Sequence, residues 1–322
     1  MSYHRKRIPV AERNIENFLL EPDYEPVDIK YEPTCKQRCC RCCIISSIII
    51  LVSALLVFIL LFVVLPLVFM HSIELQRNLI FQRYINNEER EFTNFQKYGL
   101  EGARNIYRDT IIDDEIITLG VWHCLPLALV HEAVEIEEYN YVEALYRSTY
   151  PVLLYFHDTD GNRIADINKY RIFRRSFHVI TFDYRGYGDS TEGELSEKLI
   201  IEDSIQIYKW VRLQTRAEIF VWGHSFGASL AAQMIARLRK ENVIPTGLFL
   251  EAPFTTIREE LQYISVMKMY TWLPWFEATI LSPLEKNGFV FKTNESILSV
   301  DCPIMILHAK DDEMVPYILG EK

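Results

Sequence analysis

Trp222-Gly223-His224-Ser225-Phe226-Gly227 is the stretch that decides the fold. It matches G-x-S-x-G, follows a brief apolar run (Ile219–Trp222) and opens a stretch with helical periodicity (Ala228–Arg239). Strand, tight turn and helix in that order form a nucleophile elbow: only Gly fits beside the turn, and the Ser hydroxyl is lifted above the sheet. The backbone N–H of Phe226 would then sit at a helix N-terminus, where unpaired donors and the helix dipole favour a developing oxyanion. Ser225 is therefore the expected nucleophile.

Working outward from the elbow, Val152–Phe156, His178–Phe182, Gly247–Leu250 and Ile304–Leu307 also read as short buried strands. Lys198–Leu213 reads as an amphipathic helix between two of them. Strands alternating with helices predict an α/β fold, a mostly parallel sheet covered by helices on both faces. A second oxyanion donor is expected after the first of these strands, in Tyr155-Phe156-His157-Asp158-Thr159-Asp160-Gly161, from a backbone N–H at Asp158 or Thr159. A carboxylate at Asp158 pointing inward would disfavour an oxyanion. After the last strand comes His308-Ala309-Lys310-Asp311-Asp312-Glu313-Met314-Val315-Pro316, where the acid that orients a catalytic His belongs. Asp311 and Asp312 are the carboxylates there, and Asp312 is the expected acid, favoured over Asp311 by what the resemblance given below implies. No His follows it before Lys322, so the general base is missing from its usual place. The expectation is an incomplete gene product lacking the last strand, the His loop and the final helix, with an exposed sheet edge and poor stability as a consequence.

The most apolar stretch, Ile44–Met70, contains no charged residue. It exceeds the roughly 20 residues a helix needs to cross a bilayer, and it is too long and too far from Met1 for a cleaved signal. Lys36, Arg38 and Arg41 flank its N-terminal side, which places the N-terminus in the cytosol and the large domain on the lumenal or extracellular side. Asn294-Glu295-Ser296 would there be a glycosylation sequon, with Asn294 the candidate. Cys35, Cys39, Cys40, Cys42 and Cys43 crowd the membrane and suggest palmitoylation, with a zinc site as the rival reading. Cys124 and Cys302 are left as two free thiols or one disulfide. The net charge of −10 arises almost wholly after the span, because residues 1–43 hold eight basic and seven acidic side chains, which excludes a nucleic-acid partner.

The expected layout is a tail with the Cys cluster (1–43), a transmembrane helix (44–70), a connector (71–110) and a catalytic domain (111–322). Its apolar, aromatic insertion Tyr263–Leu281 lies in a cap at about 257–290 and suits an acyl chain or a bilayer interface. No metal or cofactor is called for.

Phe182-Asp183-Tyr184-Arg185-Gly186-Tyr187-Gly188-Asp189-Ser190, the elbow, Glu251-Ala252-Pro253-Phe254-Thr255 and Leu307–Asp312 appear in this order. Together they resemble the membrane-anchored α/β-hydrolase-domain lysophosphatidylserine and monoacylglycerol lipases, over roughly residues 151–322. The resemblance implies an α/β-hydrolase fold, residence in the endoplasmic reticulum membrane with a lumenal catalytic domain, and hydrolysis of the acyl ester of lysophosphatidylserine or a monoacylglycerol through an acyl-enzyme. The chain departs from the pattern at Asp158, at Phe226 and Ala228, and at the missing His. A catalytically silent membrane protein that binds a lipid or a partner is the competing expectation.

Overall fold

The computed structural model describes residues 35–83 and 91–322, with side chains from residue 40 onward. The tail over 1–34 and the side chains of Cys35 and Cys39 lie outside the described residues. The chain divides into two units, Met1–Leu56 and Val57–Lys322. Helix α1 (Cys35–Ile59) passes into a π-helical turn, Leu60–Val64, and then α2 (Leu65–His71). Within this run Cys40–His71 is long and apolar enough to cross a membrane, and the expected span 44–70 lies inside it. Ser72 ends the run by leaving helical geometry, and its hydroxyl accepts from Leu75 N–H to cap α3 (Ile73–Ile80).

Seven strands make one sheet: β1 (Ala103–Ile112), β2 (Glu115–Cys124), β3 (Val152–Phe156), β4 (His178–Phe182), β5 (Ile219–His224), β6 (Gly247–Glu251) and β7 (Ile304–Leu307). Their spatial order is β1-β2-β4-β3-β5-β6-β7. From β4 to β7 all neighbours are parallel, whereas β1 and β2 form an antiparallel hairpin whose second strand joins β4. Every residue of β3 and β4 is buried, as helices on both faces require.

The hairpin corrects one expectation. Most of β1 falls inside the stretch read as connector, 71–110, so the sheet begins before residue 111. β1 is an edge strand, and Arg104, Asn105, Arg108 and Asp109 break up its apolar residues. Its turn is made by Asp113 and Asp114, both left-handed at φ 50° and 66°. Asp tolerates that region, but Asp-Asp is a weaker hairpin signal than Asn-Gly or Asp-Gly.

Two helices hold the centre of the sheet. Glu197–Gln214 is capped by Ser196 and buries Ile200, Ile201, Ile205, Ile207, Tyr208 and Val211. Phe226–Leu238 follows the elbow, with its first seven residues all buried. Buried ion pairs, Arg163 with Asp183 and Arg185 with Asp203, fasten the loop after β4. Asp183 and Arg185 are thus structural.

Between β6 and β7 the chain builds the cap from helices Ile257–Leu261, Ser265–Lys268 and Ser282–Lys286 and a π-helical turn, Glu277–Leu281. Arg258 clamps it by reaching both Glu277 and Glu285. The aromatic insertion serves two ends: Leu273 and Phe276 are core, while Met269 and Trp272 face outward. β7 is the other sheet edge, and Met305, Ile306 and Leu307 are exposed. Cys124 and Cys302 are separate, buried, free thiols, and burial pushes the Cys124 thiol up to about 12.

Candidate active site

Ser225 stands between β5 and its helix with φ 51° and ψ −113°, a region that costs a non-Gly residue of order 1–3 kcal/mol. The surroundings enforce it. Ser225 N–H donates to Glu251 O at 2.8 Å, and Ala228 N–H donates to Ser225 O at 2.9 Å. A Cβ on Gly223 would lie 2.4 Å from Gly227 O, and one on Gly227 would lie 2.3 Å from Phe156 O. Both glycines are therefore obligatory, for the close-approach reason that defines the elbow. Among the described residues no hydrogen bond restrains the Ser225 hydroxyl, and the residue is 7% exposed.

The loop after β3 reaches the same point. Phe226 N–H donates to Asp158 Oδ1 at 3.2 Å and Thr159 N–H donates to the same oxygen at 2.6 Å. Two backbone donors, one of them at a helix N-terminus, thus converge on one oxygen position beside Ser225, the geometry of an oxyanion hole. In the loop where the second oxyanion donor is expected, Thr159 N–H points to this position and Asp158 reaches it as an acceptor through its side chain, so the carboxylate fills the place an oxyanion would need.

The loop is held from outside the sheet. Thr159 Oγ1 donates to Ile80 O at 2.5 Å and lies 3.3 Å from the Tyr187 hydroxyl, and Gln82 N–H donates back to Thr159 Oγ1 at 3.3 Å. Phe81, at the end of α3, packs edge-on against Phe226 at 5.8 Å and also meets Phe289 and Phe291. From the cap, Glu260 brings a second carboxyl group, whose pKa is pushed up to about 8 by burial and then by the charge of Asp158. Asp160 is raised for the same two reasons. Sequence reading gave no site role to Phe81, Tyr187 and Glu260, which lie far along the chain from Ser225; Tyr187 stands in the Phe182–Ser190 segment that carries the resemblance, but nothing there marks it as a neighbour of the site.

Asp312 lies in the turn after β7, where its Oδ1 accepts from Met314 and Val315 N–H, each at 2.9 Å. That leaves Oδ2 for a partner, and the nearest basic atom is His308 Nε2 at 3.7 Å. His224 pairs with Glu251 and Glu251 with Leu307, so the chain ends carrying Ser225 and His308 are two strand spacings apart, about 10 Å. A third group is needed to couple Ser225 to Asp312. Among the described residues no imidazole takes that place. His308 Nε2 is 2.7 Å from Val315 O, His157 Nδ1 is 2.7 Å from Asp158 O, and His224 Nδ1 has no partner. Asn294 is exposed on a short helix, Thr293–Ser296.

A family model described as "Serine aminopeptidase, S33" matches residues 161–287, which includes Ser225 and the cap but neither Asp158 nor Asp312. Over 266 residues the chain is 32% identical to lysophosphatidylserine lipase ABHD12 of Danio rerio, covering 81% of this chain and 69% of that protein. The chain belongs to the ABHD12 family of α/β-hydrolases. ABHD12 of Gallus gallus is 36% identical over 231 residues, 70% of this chain and 59% of that protein. Human protein ABHD12B is 30% identical over 211 residues, 64% of this chain and 58% of that protein. The chain thus spans between 58 and 69% of the length of these three ABHD12-family relatives. An alpha-beta hydrolase of Vibrio vulnificus superposes with a TM-score of 0.54 at 14% identity, over 75% of this chain and 77% of its own, and shares the fold.

Proposed function

We propose that the chain is a membrane-anchored serine ester hydrolase that cleaves the acyl ester of a lysophospholipid, lysophosphatidylserine or a monoacylglycerol through an acyl-enzyme on Ser225. The observation that carries the proposal is the convergence of Phe226 and Thr159 N–H on one oxygen position beside a strained, unrestrained serine hydroxyl. In this reading Ser225 Oγ attacks the ester carbonyl and loses its proton to a base, and the carbonyl oxygen becomes the anion that the two N–H groups hold. The leaving alcohol takes a proton, and water then cleaves the acyl-enzyme. Asp158 must swing out for the substrate oxygen to enter. Asp312, anchored by two backbone donors, is the acid that would orient the base. No metal or cofactor takes part. The names of the relatives support the lipid substrate, and the apolar run Cys40–His71 supports reaction at a membrane. The basic flank before the span supports a cytosolic N-terminus and a lumenal catalytic domain, here in the endoplasmic reticulum membrane, with a tail (1–43), span (44–70), connector and hydrolase domain in that order.

The occupied oxyanion position and the distance between Ser225 and Asp312 favour one second reading, a hydrolase-shaped membrane protein that binds lipid without turnover. Fluorophosphonate labelling of membranes bearing the full chain, beside Ser225→Ala, separates the two. Labelling lost in Ser225→Ala establishes an activated serine, and absence of labelling in both establishes the silent reading.

A further inference from the structure

An apolar pocket of about 290 Å³ lies where α2 and α3 meet the cap, lined by Pro66 and Phe69 of α2, Leu79 of α3, and Met267, Tyr270 and Ile280 of the cap. No charged residue borders it; the lining residues with polar side-chain groups are Asn78 and Tyr270. We propose that this pocket holds the acyl chain of a lysophospholipid drawn from the membrane, and that α3 transmits its occupancy to Ser225. The inference rests on the lipid-ester reading above and adds where the chain is bound.

Three features support it. The first is composition and size: the volume lies just under the low end for ligand sites, roughly 300 Å³ upward, which suits the terminal part of one acyl chain and is hostile to a headgroup. The second is position. α2 is the last part of the run Cys40–His71, so a chain can pass from hydrocarbon into the pocket without exposing its methylenes to water, each worth about 0.8 kcal/mol. The third is construction. Ile280 lies in the π-helical turn Glu277–Leu281, Leu65 directly follows the π-helical turn Leu60–Val64, and Trp275 Nε1 donates to Phe62 O at 2.8 Å between the two. Such turns are rare and concentrate at functional sites. The walls are fastened before any ligand arrives: the buried Gln76 amide donates to Phe69 O at 2.9 Å and accepts from Asn287 Nδ2 at 2.6 Å.

The path to the nucleophile is short. α3 lines the pocket with Leu75 and Leu79 and ends at Ile80, whose carbonyl accepts from Thr159 Oγ1. The next residue, Phe81, packs on Phe226. A chain that displaces Leu79 therefore moves the residues that hold both oxyanion donors.

The test uses the full chain carrying Ser225→Ala in phosphatidylcholine nanodiscs, with lysophosphatidylserine bearing a diazirine at the end of its acyl chain. Photolysis is expected to place the label on peptides containing Leu79, Met267 or Ile280, and unlabelled lysophosphatidylserine should compete. Filling the pocket with Leu79→Trp or, more gently, Met267→Phe should lower that labelling about tenfold, the effect of excluding one or two methylenes, with an unchanged melting temperature confirming the fold. Label spread along the outward face of α1, or label on the pocket that neither filling variant reduces, overturns the proposal. Failure of the serine reading shows separately, as absent fluorophosphonate labelling of the unsubstituted chain while the photolabel still reaches the pocket.

Discussion

Replacing Asp158 by Gly should make Ser225 more reactive, which is the reverse of what removing a half-buried, hydrogen-bonded carboxylate near a site usually does. Asp158 Oδ1 lies on the Thr159 and Phe226 amides at 2.6 and 3.2 Å. A developing oxyanion must take those donors from it, and the donor next to the nucleophile is the one it needs most. A hydrogen bond to a charged group contributes about 1.5–3 kcal/mol. Breaking the Phe226 contact before each attack therefore raises the barrier by that order, which corresponds to about 10- to 150-fold in rate. In Asp158→Gly that cost disappears, and the second-order rate constant for fluorophosphonate labelling should rise by about 10- to 100-fold. Asp158→Asn, which keeps an acceptor at the same place without its charge, should show a smaller rise. The assay is a time course of labelling in membranes at several probe concentrations, with a thermal melt of each variant beside it. An unchanged or lower rate in Asp158→Gly, in a variant that melts with the unsubstituted chain, would refute the reasoning and leave Asp158 as a structural tie.

Gly227→Ala should lower the melting temperature markedly and abolish labelling, since its Cβ would lie 2.3 Å from Phe156 O and overpacking against backbone costs roughly 1–3 kcal/mol or more; an unshifted melt would show that the elbow can open. Asp312→Asn should cut ester turnover by a factor on the order of 10⁴ if it orients the base, with little change in melting because the Asn oxygen can still accept from Met314 and Val315; equal loss of fold and turnover would count against that role. Glu260, with its carboxyl raised to about 8, stays protonated in the folded chain where the unfolded chain has ionised. The folded state then binds more protons, so stability falls as pH rises from the ordinary carboxylate range to about 8. Glu260→Gln should flatten that fall in melts recorded across the window, and an unaltered pH profile would show that the Glu260 carboxyl ionises in the folded chain as it does in the unfolded one.

Five strands, both central helices and the elbow were legible in the sequence because the parallel strands are written as short continuous apolar runs, as burial on two faces demands of the inner ones, and the elbow's crowding leaves only glycine beside the serine. The long apolar helix was legible for the same kind of reason, since one uniformly apolar composition runs along it. β1 and β2 were not: Arg104, Asn105, Arg108 and Asp109 interrupt the apolar residues of β1, and the two pair as an antiparallel hairpin outside the alternation of strands and helices that marks the parallel part of the sheet. The cap could be placed but not read in detail: of its aromatics, Phe276 is buried and Trp272 is exposed, a distinction set by neighbours rather than by residue type. Sequence also singled out Asp158 and Thr159 in the loop after β3 without saying which of their groups would face the residue after Ser225. That was decided by tertiary structure alone. Ile80, Gln82 and Tyr187 hold the Thr159 hydroxyl, fixing a backbone geometry in which one Asp158 oxygen reaches two N–H groups. Local sequence dictates which groups can donate or accept, whereas the direction in which they point is fixed by contacts between segments that meet only when the chain has folded.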